Sequence, residues 1–489
     1  MSIDQTQPIP LYYQLKTLLL EEILSGRYGP EGRLPTEHEL CDQYAISRTP
    51  VSRALSELAE EGVILRHRRR GTFVNPHWLA RRPDQPEVRV VVSEGPWGEL
   101  VRDAASDEVQ VNLITVPLPS LHQVLTHAVA DGQAPDLAIL DSVWIPEFAA
   151  DGFLLPLDDL DPEWLRSEHE HDFLEPIVKA NRYEGRTFGV SPFANIAGFW
   201  YRRSAVEALG LLPPRTWSEL RAVGRAAAEN GLSHPIVMTG GSKGGETTAY
   251  CLIAFLESNG AHVLGREGVT VGSRETAQAL RFLRSLIDDG LMSSDVIGYE
   301  WTKPVRLLAE GKAAISFGGS YETRTLAEAL DVPLDELGDH VGFMPVPAGP
   351  AGAPATVAGT MSYGIFRQAP QPGLAMRLLQ RAVAPEELAR VARTTGRIPA
   401  RRSAVNLAAP SPAFLSQTVD MLERAAIRPS TPLYPRVSAQ LQSMLEATLT
   451  GRLGAAAAAR RTAELIGAIT GLPVLHEVDV VPSATGVAG

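Results

Sequence analysis

Cysteine is nearly missing from this chain: Cys41 and Cys251 are the only two in 489 residues. They stand far apart and outside any CxxC spacing, which argues against a disulfide framework or a cysteine zinc site and leaves them as small buried hydrophobes. Lysine is scarce too, with Lys16, Lys179, Lys243, Lys303 and Lys312 alone. An aminotransferase-like domain using pyridoxal phosphate needs a Schiff-base lysine with phosphate-binding partners. Ser242-Lys243-Gly244 offers the lysine but lacks the arginine-glycine segment that should follow. HExxH, Walker A and GxSxG are absent, so no catalytic residue, metal or cofactor is expected and the chain is not read as an enzyme. Gly240-Gly-Ser-Lys-Gly-Gly-Glu246 has no GK[ST] ending and reads as a mobile cleft loop. No run of about 18 apolar residues occurs. The apolar stretch 15–24 is interrupted by Lys16, Glu21 and Glu22, too polar for a signal peptide or a membrane span, so a cytoplasmic protein with no membrane partner is expected.

What is present is an ordinary globular composition, 44% hydrophobic and 21% charged, long enough for two to four folding units. The net charge of −12 is uneven. Residues 1–85 carry 11 basic and 11 acidic side chains, and the remainder carries 34 and 46. Within 45–70, six arginines face three glutamates, a local basic cluster in an acidic protein and a first sign of a phosphate-docking surface.

The pattern changes at Asn75–Glu87, which carries three prolines and two arginines and reads as a linker. Before it, Leu11, Leu15, Leu18, Leu19 and Ile23 mark one face of a helix over 11–25. Thr36 and Glu39 form a capping-box signature for a short helix ending near Tyr44. Ser47 caps a third, with Pro50 in its first turn and Val51, Ala54, Leu55, Leu58 and Ala59 as its apolar stripe. Residues 63–65 and 72–74 are β-prone. After the linker, runs at 88–92, 109–116 and 137–140 alternate with a helix-like stretch at 120–131, as in an α/β sheet. Amphipathic helices are expected at 216–230, 273–289 and 373–383, and an alanine-rich one at 455–469. The last ten or so residues look frayed.

Three helices followed by a two-strand ribbon have the anatomy of a winged helix. Helices two and three meet at Ala45-Ile46, a tight turn. In that geometry Arg48, Thr49, Ser52 and Arg53 reach the major groove, while Arg66, Arg68, Arg69 and Arg70 sit on the wing to meet phosphates or the minor groove. Arginine can bond guanine O6 and N7 together. Pro10-Leu-Tyr-Tyr-Gln14, Ile23-Leu-Ser-Gly26, Leu34-Pro-Thr-Glu37, Ser47-Arg-Thr-Pro-Val51, Arg53-Ala-Leu55, Glu61-Gly-Val-Ile64 and Arg70-Gly-Thr-Phe-Val74 follow in order, and over residues 8–76 the chain closely resembles the GntR family of bacterial regulators. The resemblance implies base reading by Arg48 and phosphate or groove contacts by Thr36, His38, Ser47, Thr49, Ser52, Arg53, Arg68, Arg69, Arg70 and Gly71. Two positions depart from the pattern: Ser52 where arginine is frequent, and Arg69 where a wing-tip glycine is common.

Residues 87–475 carry a second set of blocks. Pro135-Asp-Leu-Ala-Ile-Leu-Asp141 is followed by Trp144, Glu147-Phe-Ala149 and Gly152-Phe-Leu-Leu-Pro-Leu-Asp158. Then come Tyr183–Pro192, Gly198-Phe-Trp-Tyr201, Pro214–Leu220, Gly311-Lys-Ala-Ala-Ile315 and Gly318-Gly-Ser-Tyr321. This region resembles the extracellular solute-binding proteins of carbohydrate importers. The resemblance implies a two-lobed α/β fold of the periplasmic-binding-protein type 2 class with a ligand cleft. It carries ligand roles to Asp141 and Trp144 after a strand, Asn195 before a crossing strand, Ser320 and Tyr321 after another, Trp301 ahead of a helix, Arg397 in Thr395-Gly-Arg-Ile-Pro399, and Glu94 and Trp97 in the loop after the first strand. Trp164, Trp200 and Trp217 are assigned to the core.

The expected protein is therefore multidomain: an N-terminal winged helix (8–76), a linker (77–86), a solute-binding-like sensing domain (87–475) and a tail (476–489). It is expected to bind double-stranded operator DNA as a homodimeric repressor under control of a small effector, a sugar or oligosaccharide. The competing readings are a transport-type solute-binding protein with no regulatory role and an aminotransferase-like fusion.

Overall fold

The computed structural model describes residue 3 and residues 10–24, 26–28, 32–60, 62–67, 70–76, 86–106, 109–408 and 413–475. The expected linker falls almost wholly outside the described residues, as do the C-terminal tail, Arg68 and Arg69. The chain forms two compact units, one of Met1–Ile139 with Phe366–Leu378 and the other of Leu140–Ile365 with Leu379–Gly489.

The first unit opens with helix α1 (Leu11–Leu24). Its Leu15, Leu19 and Ile23 are buried at helical spacing, as an apolar stripe demands. Helix α2 (Glu37–Tyr44) begins with a complete capping box: Thr36 Oγ1 accepts from the Glu39 N–H at 3.3 Å, and the Glu39 carboxylate accepts from the Thr36 N–H at 2.7 Å. Ala45 closes α2 in the left-handed region, φ 52°, which turns the chain sharply into helix α3 (Arg48–Glu60). Val51, Ala54, Leu55 and Leu58 of α3 pack on α1, and Gly62 ends the run at φ +71°. Strands β1 (Ile64–His67) and β2 (Gly71–Val74) pair antiparallel from Ile64↔Val74 to His67↔Gly71. The ladder runs longer than the β-prone residues alone indicate, because Arg66 and His67 continue it. Gly71 admits the turn at φ +114°, and a Cβ there would stand 2.8 Å from Arg33 Nε.

In the same unit, β3 (Glu87–Val92) pairs parallel with β4 (Gln110–Thr115) and with the first residues of β5 (Leu137–Asp141), a strand whose last two residues, Leu140 and Asp141, are counted in the second unit. Helix α4 (Trp97–Asp103) follows β3, and α5 (Leu118–Ala130) joins β4 to β5. This is the βαβ alternation expected from the apolar runs. Trp97 differs from expectation. It is the first residue of α4 rather than part of a loop, and only 2% of it is exposed, so its ring does not offer a face to solvent.

The second unit is organised on a long strand. After the small hairpin of β6 (Arg182–Tyr183) and β7 (Arg186–Thr187), β8 (Phe193–Arg202) runs ten residues, nearly all buried. The shorter β9 (Ile236–Val237), β10 (Ile315–Gly319), β11 (Val341–Met344), β12 (Val357–Ile365), β13 (Ile398–Pro399) and β14 (Ala426–Ile427) complete its strands. Strands β10, β11, β12 and β13 all pair antiparallel with β8, while β9 joins β10 and β14 joins β12 in parallel. Asn195 lies inside β8, opposite Gly359, not ahead of the crossing strand as expected. Helices α6 (Trp217–Glu229), α7 (Glu246–Glu257), α8 (Arg274–Asp288), α9 (Tyr434–Leu449) and α10 (Ala455–Thr470) supply the packing faces. Trp217 stacks on Phe255 and Phe282 at 4.8 Å each, and Trp200 and Trp164 are buried, so all three tryptophans assigned to the core lie in it.

Candidate functional site

On the head, most of the side chains singled out for DNA that lie among the described residues are exposed. Ser47, Arg48 and Thr49 open α3 and are exposed, Ser52 is partly exposed, and Arg53 follows one turn on. Arg70 and Gly71 lie at the ribbon turn. Arg66, on β1, swings toward α2. A single carboxylate organises the group: Glu37 accepts from Arg48 Nε at 2.9 Å and from Arg66 Nη2 at 2.7 Å. The Arg48 hydrogen bond, then Arg66, hold the Glu37 carboxyl below its usual range. Arg48 is 82% exposed, so its guanidinium is oriented yet still available. Thr36 is engaged in the cap of α2, and His38, exposed, stands 3.8 Å from Asp42. Arg53 turns instead toward α1, lying over the Tyr12 ring at 3.8 Å. The Glu37 clamp has no signal in the sequence beyond the place of Glu37 in the Leu34–Glu37 block.

In the second unit, one of the residues expected to hold a solute, Asp141, belongs to a largely buried ionic cluster. Asp141 ends β5, and its carboxylate caps the following turn, accepting from the Val143 N–H at 3.2 Å. The same oxygen accepts from Arg428 Nη2 at 2.8 Å. Arg428 Nη1 donates to Glu246 at 2.9 Å, and Glu246 also accepts from Tyr434 and Ser438 at 2.7 and 2.6 Å. Burial alone would lower the Arg428 guanidinium, yet Asp141 and Glu246 hold it well above its ordinary value. Burial pushes the Glu246 carboxyl up, with Arg428 opposing. The glycine-rich stretch 240–246 is thus pinned at its end, and Ser242 N–H donates to Glu446, so the expected mobile loop is an anchored turn.

From Arg428 a series of neighbours leads to Asn195, Ser320, Tyr321 and Trp301. Its guanidinium carbon lies 5.2 Å from the Tyr250 ring centroid. A Cβ on Gly359 would touch that ring at 3.1 Å, and Gly359 pairs with Asn195. Asn195 Oδ1 is buried with no hydrogen-bond partner among the described residues. The next residue, Ile196, donates its N–H to Ser320 Oγ at 3.1 Å. Tyr321 follows and meets Trp301 edge to face at 6.1 Å. Trp301 is 46% exposed, and Trp144, after the Asp141 turn, is partly buried. Arg397 is partly buried just ahead of β13, its guanidinium pulled down to about 10 by burial. Glu94, exposed, and Trp97 lie in the first unit. The arrangement offers aromatic faces, an unsatisfied amide oxygen and a fixed charge cluster, which is chemistry for holding a polyhydroxylated solute. Arg428, Glu246, Tyr250 and Tyr434 were not singled out in the sequence. The one signal was Glu246 at the end of the glycine-rich stretch.

No helix among the described residues is long and apolar enough to cross a membrane, and no group of metal-ligating side chains gathers among them. The family model for bacterial extracellular solute-binding proteins matches residues 84–388, and that for gntR-family bacterial regulatory proteins matches residues 11–74. A putative binding protein of Brucella abortus is 29% identical over 300 residues, covering 59% of this chain and 70% of the relative. The transcriptional repressor NagR of Bacillus subtilis is 44% identical over 75 residues, 15% of this chain and 31% of that protein. Among solved structures, a tagatose-bound solute-binding protein of Thermotoga lettingae shares the fold at TM-score 0.69 and 20% identity, over 79% of this chain and 100% of that one. Maltose-bound MalE3 of T. maritima aligns at TM-score 0.68 and 24% identity, over 78% and 99%. The chain belongs to the bacterial extracellular solute-binding protein family and carries a gntR-family winged helix in front of that domain.

Proposed function

We propose that this chain is a cytoplasmic, homodimeric transcriptional repressor: residues 8–76 bind operator DNA, residues 77–86 link, and residues 87–475 take a sugar or oligosaccharide that weakens operator binding. The observation that carries the reading is Arg48, exposed at the start of α3 and oriented by Glu37, in the same chain as the solute-binding fold. The matched relatives include repressors named for arabinose metabolism and for histidine utilization, and the structural neighbours hold tagatose, maltose and acarbose. A transport role is the weaker reading, because a DNA-reading head has no task at an importer.

The test is a gel shift of the full chain on the DNA upstream of its own gene, with and without maltose, tagatose, acarbose, ribitol and arabinose. Arg48→Ala is expected to weaken specific binding by about 1–3 kcal/mol and to relax base preference. Unchanged affinity in that variant ends the assignment of α3. A bound sugar raises the melting temperature by mass action, by about 2.7 kcal/mol of stability at one hundred times its Kd. A wild-type chain that binds sugar but shows no duplex affinity is a binding protein, not a regulator.

A further inference from the structure

Tyr12 belongs to α1 and is 5% exposed. The Arg53 guanidinium covers its ring, and Arg53 Nη2 donates to its hydroxyl at 3.2 Å. That hydroxyl has one proton to give, and it gives it outside the head, to the carbonyl of Thr115 at 2.8 Å. Burial pushes the phenol up to about 12, so the donor is intact at physiological pH. Thr115 is the last residue of β4. Val116 donates back to Val92 at 2.8 Å, and Leu118, which opens α5, donates its N–H to the Glu94 carboxylate at 3.0 Å. Arg53 is further held by Glu57 at 3.1 Å, a carboxylate shared with the buried Lys16. All of these residues lie in the first compact unit.

Each end of this series has something to exchange. Arg53 is half exposed on the helix that faces DNA, where a phosphate competes for a guanidinium. When Arg53 turns to a phosphate, Tyr12 loses both the charge over its ring and the hydrogen bond that orients its hydroxyl. The segment 115–118 then loses an anchor. At the other end, a solute hydroxyl that draws on Glu94 releases the Leu118 N–H at the start of α5. Such an effect is mutual: whatever the duplex does to the Glu94 segment, a ligand on that segment does to duplex binding.

We propose that Tyr12 couples the duplex-facing side of α3 to the Glu94 loop of the sensing region through its bond to Thr115; this rests on the regulator reading above.

The test needs no knowledge of operator or sugar. The full chain is saturated with a random-sequence duplex of roughly 30 bp at low salt, where phosphate contacts suffice for binding. Deuterium uptake is followed in the peptide spanning residues 112–120. In the wild type, duplex is expected to change that uptake by about twofold at intermediate times. Tyr12→Phe keeps the ring beneath Arg53 and removes only the hydroxyl, so it is expected to bind duplex normally and show no change in the peptide. Arg53→Ala, at saturating duplex, is expected to be equally silent and serves if Tyr12→Phe disturbs the head. A wild type that binds duplex without any change in the peptide overturns the coupling and leaves the DNA assignment standing. A change that persists in both variants overturns the part played by Tyr12. A wild type that binds no duplex at all fails the regulator reading and takes this proposal with it.

Discussion

Arg428→Ala is expected to lower the unfolding free energy by about 3 kcal/mol, the low end of the range for breaking a buried pair, because it leaves Asp141 and Glu246, 19% and 31% exposed, without their shared cation. Arg428 is the shared partner of Asp141 and Glu246, and its side chain is 6% exposed. With it gone, Glu246 keeps Tyr434 and Ser438 as donors, but nothing offsets its charge. Its carboxyl, already raised by burial, is expected to rise further and to take up a proton on folding. Urea unfolding of wild type and variant measures the loss. The double variant Arg428→Met with Glu246→Gln is expected to recover part of it, since Asp141 is then the one carboxylate of the cluster left without its cation. A single Arg428→Ala variant as stable as the wild type means that the cluster is not the electrostatic anchor of this unit.

The second large effect is on pH dependence, and it has two opposed sources. His169 is fully buried between Trp164 and Phe173, and neither ring nitrogen has a hydrogen-bond partner among the described residues. Burial, then the charges of Arg182 and Arg401, pull it down to about 3. Its folded value lies below its unfolded one, so its contribution to stability is complete above pH 6.5 and is lost as pH falls toward 3. Glu322 is the reverse. Burial pushes its carboxyl up to about 8 although the Gly319 N–H donates to it at 3.0 Å. Its contribution is complete below pH 4.5 and is lost as pH rises through 8.

Between pH 4.5 and 6.5 the two slopes nearly cancel, each worth about 2–3 kcal/mol over the interval. His169→Phe removes one of them. Relative to wild type, that variant is expected to gain stability as pH is lowered from 6.5 to 4.5. Glu322→Gln is expected to do the opposite, losing stability on acidification that the wild type does not lose. Parallel urea titrations at the two pH values read both differences. Identical pH profiles for wild type and His169→Phe contradict a neutral buried imidazole at this position.

In the head, the helices and their caps were legible. Thr36 and Glu39 closed the capping box that their spacing announced, and α3 buried the stripe Val51, Ala54, Leu55 and Leu58 that its periodicity predicted. Helices and caps depend on residues three and four apart, so the information is local. The sheet of the sensing region was partly legible for the same reason. Continuous apolar runs marked β3, β4 and β5, but no local pattern gave the long β8, whose Asn195 sits in mid-strand. The helix identities of Trp97 and the anchoring of the glycine-rich stretch also escaped, because both are set by what packs against them.

By itself, the sequence determined that a winged helix precedes an α/β solute-binding region, because caps, turns and apolar periods act over a few residues and accumulate into an unambiguous order. Only the tertiary structure decided the charge cluster, since Arg428 reaches Asp141 across 287 positions and Glu246 across 182. It also decided that Glu37 holds Arg48 and Arg66 together and that the Tyr12 hydroxyl meets Thr115. A buried charge or a single donated proton takes its energy from the groups the fold brings around it, and neither leaves a spacing in the chain.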